Sequence, residues 1–97
     1  MKIRIDKLLV CQQKVRRPDQ IPLLIKSICN GTLIPAVVIS ENEDGLFRIE
    51  DGVHRSIAYL LSGREDLELG EFEIVPFNRS RITTGFLVDL IEKYGIK

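Results

Sequence analysis

A length of 97 residues fits one domain with a modest core and leaves no room for a large two-domain enzyme. A hydrophobic share of 44% excludes wholesale disorder, and 14 Lys+Arg against 14 Asp+Glu remove the simplest argument for nucleic-acid binding, a basic excess. No apolar run approaches the roughly 20 residues of a membrane span, and Met1 to Asp6 lacks a signal peptide's apolar stretch, so a small cytoplasmic protein is expected.

In chain order, Ile3 and Ile5 alternate with Arg4 and Asp6, which predicts a short half-buried strand. Leu8-Leu9-Val10 either extends it or leads away from it, and the basic stretch from Gln12 to Pro18 reads as a loop. Asp19 is the expected cap of a first helix, with Pro22 tolerated in its opening turn. Leu24, Ile25 and Ile28 recur at helical spacing, and Asn30-Gly31 gives the stop. Ala36 to Ile39 is a β-branched run that predicts a buried strand. Asp44-Gly45 predicts a hairpin turn, with Leu46, Phe47 and Ile49 returning.

Asp51-Gly52 then breaks the strand, and Ile57, Leu60 and Leu61 form the stripe of a second helix closed by Gly63. An acidic loop precedes Phe72 to Val75, the last predicted strand, ended by Pro76. Ile82, Phe86, Leu87, Leu90 and Ile91 predict an amphipathic C-terminal helix over about 80–94, stopped near Gly95. Phe72, Phe77 and Phe86 are expected to pack, and Tyr59 to lie in the core. The expected fold class is α+β: a single domain, residues 1–97, with a small mixed sheet flanked by helices.

Charge is segregated although it sums to zero. Residues 1–18 hold six Lys/Arg and one Asp, whereas 64–73 hold one Arg and five acids. Such asymmetry either builds a local anion site or marks solvated faces. Cys11 and Cys29 lie 18 positions apart without CxxC or His at zinc spacing, so two reduced thiols are expected, Cys29 on an apolar helix face.

The densest chemistry sits at Asp51-Gly52-Val53-His54-Arg55-Ser56. A helix's first turn exposes N–H groups without intrahelical partners, and its dipole favours negative charge. Gly52 allows an anion close to the backbone, Arg55 offers a planar fork for phosphate oxygens, and His54 another donor. Asp51 is placed to hold a metal–phosphate complex or act as a base. Glu50, on the preceding strand position, is expected to face away from Asp51's side. The same spacing also fits an ordinary turn in which Asp51 caps the helix and His54 and Arg55 are surface residues.

These residues resemble the superfamily joining ParB amino-terminal domains, sulfiredoxins and ADP-dependent free-serine kinases. The likeness covers about positions 3–76, leaving the C-terminal helix outside. It runs through Ile3-Arg4-Ile5-Asp6, Gln13 with Arg16-Arg17, Leu24-Ile25-Lys26-Ser27-Ile28, and Leu33-Ile34-Pro35-Ala36-Val37-Val38. It culminates in Asp51-Gly52-Val53-His54-Arg55 followed by Ala58 and Gly63, similar to the family's D-G-x-H-R-x-x-A…G.

The resemblance implies a nucleotide (ATP/ADP or CTP) with its phosphates on Gly52, Val53, His54, Arg55 and Ser56. It adds Arg16 or Arg17 as phosphate-reaching cations and Mg2+ at Asp51. Each branch makes a demand on residues. Sulfiredoxins carry a reactive Cys before the motif His, where this chain has Val53, so their chemistry is not expected. Partition proteins read Gly-Glu-Arg-Arg where Gly52 to Arg55 stand, and continue into DNA-binding and dimerisation segments. The free-serine kinases read Asp-Gly-His-His-Arg with a base Glu in the early basic loop, whereas residues 12–17 contain no carboxylate. Phosphotransferase or NTP hydrolase activity at Asp51 therefore stays open, and a nuclease has only Asp51 and Glu50 to draw on. The alternative is a non-catalytic DNA-binding or partner-binding ParB-like module of plasmid or phage type, with homodimerisation open.

Overall fold

A computed structural model describes residues 2–93 and Gly95. The expected α+β architecture is observed: a five-stranded mixed sheet, a two-stranded sheet and three α-helices. The strands are β1 (Ile3–Arg4), β2 (Leu9–Val10), β3 (Val37–Glu41), β4 (Phe47–Asp51), β5 (Asp66–Leu67), β6 (Phe72–Ile74) and β7 (Gly85–Phe86). The helices are α1 (Ile21–Cys29), α2 (Val53–Leu61) and α3 (Leu87–Lys93). Among the described residues no helix is long and apolar enough to cross a membrane.

The large sheet has the order β6-β3-β4-β2-β7. The β3–β4 hairpin is antiparallel, its turn closed by Asn42 Oδ1, which accepts the N–H groups of Asp44 and Leu46 at 2.9 Å each. Strand β2 runs parallel to β4, and β6 parallel to β3, so the carboxyl ends of β2 and β4 open on one side. Val10, Val37, Ile39 and Ile49 from the sheet meet Ile57 of α2 and Leu87 of α3 in one buried core. Strand alternation and helical periodicity thus converge on the same apolar volume.

Several expectations need correction. The first strand stops at Arg4, because Ile5–Lys7 tightens into a 3-10 turn that buries Ile5. Asp19 does not cap α1; it lies inside a 3-10 turn, Pro18–Gln20, that leads straight into the helix. Cys29 is exposed rather than packed. The C-terminal helix starts at Leu87, not near residue 80, because Gly85–Phe86 pairs with Leu9 and Val10 as a sheet edge. Ile82, counted in the helical stripe, is 79% exposed in the loop before it. Tyr94, the expected end of that helix, lies outside the described residues.

Candidate functional site

Strand β4 delivers the chain to the site with a register slip. Ile39 pairs with Ile49, but Val38 pairs with Asp51, so Glu50 is the extra residue of a β-bulge. Bulges break the strict alternation of faces, and Glu50 and Asp51 both line one cleft, contrary to the expectation that they part. Gly52 then turns the chain with φ 108° and ψ 32°, a backbone that L side chains resist, and α2 begins at Val53.

Ser56 is the first residue of α2 to bond back, its N–H donating to Gly52 O at 2.9 Å. The N–H groups of Val53, His54 and Arg55 therefore have no intrahelical partner. Val53 and His54, but not Arg55, help to wall a cleft of about 230 Å³ at the carboxyl ends of β2 and β4, together with Asp51, Gly52, Gln12, Arg16, Glu50 and Arg81. This crevice position is where open sheets of this kind commonly hold ligands.

The expected site residues divide into two groups. Asp51, Gly52, Val53, His54 and Arg16 line the cleft. Arg55, Ser56 and Arg17 do not. The Arg55 guanidinium folds back over Gly52, where Nη1 donates to Ala36 O at 2.9 Å and Nη2 lies 3.3 Å from the Asp51 carboxylate. Ser56 is fully buried, with its hydroxyl donating to Gly52 O at 2.9 Å, so it locks the helix entrance from within. Arg17 contributes its backbone instead of its charge: its N–H donates to His54 Nε2 at 2.9 Å, linking the basic loop to α2.

That link fixes His54 as a neutral imidazole with the proton on Nδ1, since a protonated ring has no lone pair to accept the bond. Partial burial holds His54 below its ordinary value of 6.5, the charges of Arg17, Arg16 and Arg55 push the same way, and Asp19 opposes them. A group depressed in the folded state contributes stability that is complete above its unfolded value and is lost as pH falls through its folded one. The amide signal of Arg17 is accordingly expected to move with His54 as pH drops below 6.5. An Arg17 amide indifferent to His54 titration in a two-dimensional NMR series would show that the link is not made in solution.

Sequence reading passed over Arg48, which is fully buried in β4. Its Nε donates to Glu50 Oε2 at 2.7 Å, its Nη1 to Arg81 O and Thr83 Oγ1, and its Nη2 to Asn78 O. The guanidinium lies 4.0 Å from the Phe77 ring centroid, a cation–π contact. Ser40 donates to the same Glu50 oxygen at 2.6 Å, and Arg81 Nη1 takes Glu50 Oε1 at 2.8 Å. The only signal in the sequence was a charged pair, Arg48 and Glu50, two positions apart in the expected returning strand of the hairpin.

Among the described residues no group of three or more His, Cys, Asp or Glu side chains is disposed to hold a metal ion. Asp51 stands as a single, largely exposed carboxylate at the cleft rim. No family model matches the chain, and comparison with curated proteins and with solved structures finds no significant similarity.

Proposed function

We propose that this chain is a ParB/sulfiredoxin-like domain that binds a phosphorylated ligand, in the first instance a nucleotide, in the cleft at the amino end of α2. The observation that carries this reading is the meeting of Val53 and His54, whose N–H groups have no intrahelical partner, with Arg16 and Arg81 around one polar hollow. Helix-end amides and guanidinium groups are the donors that phosphate oxygens take. The two nearby carboxylates do not cancel them, because Glu50 is occupied by Arg48, Ser40 and Arg81, and Asp51 is paired with Arg55.

A Mg2+ ion fits this site as one shared between a single protein carboxylate and ligand phosphates, the usual manner for that ion. Asp51 would hold it, and the ion would supply charge neutralisation on the phosphates. Turnover as a phosphotransferase or NTP hydrolase would draw on Asp51, the motif carboxylate at the cleft rim, which would have to exchange its contact with Arg55 for the ligand.

A thermal-shift panel of ATP, ADP, CTP and GTP, with and without Mg2+, tests the reading. A bound nucleotide at one hundred times its Kd stabilises by about 2.7 kcal/mol, which for a domain of this size raises Tm by roughly ten degrees or more. Asp51→Asn is expected to erase the Mg2+ dependence of that shift while leaving the metal-free shift. No shift with any nucleotide would overturn the reading. A steep salt-dependent gel shift on DNA in its place would favour the module that acts through Lys14, Arg16 and Arg17, all exposed on one segment.

A further inference from the structure

The Glu50 cluster contains a charge imbalance at the wall of the cleft. One carboxylate, Glu50, is shared by two guanidinium groups, Arg48 and Arg81. Arg48 is sealed inside and spends its donors on Glu50, on Thr83 and on the carbonyls of Asn78 and Arg81. Arg81 is different. Its Nη1 is anchored by Glu50 O at 3.1 Å and Glu50 Oε1 at 2.8 Å, while its Nε and Nη2 carry no hydrogen bond among the described residues. Its side chain is 45% exposed, and the residue lines the cleft beside Gly52 and His54. The loop that carries it cannot drift freely, because the buried Arg48 grips it at Asn78, Arg81 and Thr83.

We infer that Arg81 is the side chain that receives the ligand's phosphate oxygens, with Arg48 fixing the loop that presents it. The inference rests on the phosphate seat proposed above and names the recognition element within it. A fork with one nitrogen anchored and two donors free is pre-organised for two oxygens of one phosphate group, and little side-chain freedom is lost on binding. The uncompensated charge of the Arg48–Glu50–Arg81 set is matched by the anion. Arg55, the fork expected from the motif, already has both of its terminal nitrogens committed, to Ala36 O and to Asp51.

Calorimetric titration of the intact chain with tripolyphosphate tests this directly. Arg81→Gln is expected to weaken binding at least tenfold, the scale of a lost charge-assisted pair. Arg81→Lys should recover part of the loss, keeping the charge without the fork, and Arg55→Ala should stay within about twofold of the parent. In the unaltered protein, the Arg81 Nε–H resonance should shift on adding tripolyphosphate, a readout that needs no variant to fold. Tight binding that survives Arg81→Gln, or an Nε–H signal that does not move in the bound protein, overturns the inference and leaves the phosphate seat standing. A parent protein that binds neither tripolyphosphate nor any nucleotide overturns both.

Discussion

Glu50→Ala is expected to remove about 3–5 kcal/mol of folding stability, the cost of leaving a buried charge without its partner. Arg48 is fully buried and Glu50 nearly so, and the carboxylate also holds Ser40 and Arg81. A domain of this size commonly has only 5–15 kcal/mol in total, so the urea midpoint should fall by about a fifth or more. Arg48→Met leaves Glu50 its bonds from Ser40 and Arg81 but takes the donor from the carbonyls of Asn78 and Arg81 and from Thr83, so a loss of similar size is expected. A loss under about 1 kcal/mol for Glu50→Ala would mean that the pair is solvated and behaves as a surface salt bridge.

The same cluster sets an acid limit. Burial works against ionised Glu50, but hydrogen bonds from Arg48 and Ser40 and the charges of Arg48 and Arg81 outweigh it, so its pKa lies below the ordinary 4.5. A depressed carboxylate contributes stability that is complete above the unfolded value and is lost as pH falls through the folded one. Acid unfolding should therefore steepen below pH 4.5 in the parent and flatten in Glu50→Ala.

Gly52→Ala is the second large effect, about 2–3 kcal/mol. The φ of 108° alone costs a non-glycine residue roughly 1–3 kcal/mol. The added Cβ would stand 3.1 Å from the Arg55 guanidinium, so that side chain must also give by a few tenths of an ångström against its contacts with Ala36 O and Asp51. The Tm should fall by about ten degrees or more. A change of less than about two degrees would show that the turn relaxes without strain, and the tight entrance to α2 would lose its physical basis.

Local chemistry made much of this fold readable. The Asp44-Gly45 turn, the β-branched run ending at Ile39, the break at Gly52 and the apolar stripe of α2 are short-range signals, and each appears where those signals put it. The amino end of α2 as a polar, cleft-forming point was legible for the same reason, since it follows from a strand, a glycine and a helix in succession. The two-residue strands β5 and β7 were not legible: they pair with β1 and β2 from distant positions in the chain, and no periodicity marks them.

The division within the site has one physical cause. The amino-acid order alone determined that the amides just after Gly52 would lack intrahelical partners, because that depends on the local path of the chain. Which guanidinium reaches the hollow depended on contacts between residues far apart in sequence. Arg55 is drawn to a carbonyl 19 positions away, and His54 is tied to a backbone N–H 37 positions away. Arg81 is brought to the cleft by a buried arginine and a bulged glutamate more than 30 positions earlier. Such long-range satisfaction of buried polar groups is decided only when the sheet has closed and each donor must find an acceptor out of water.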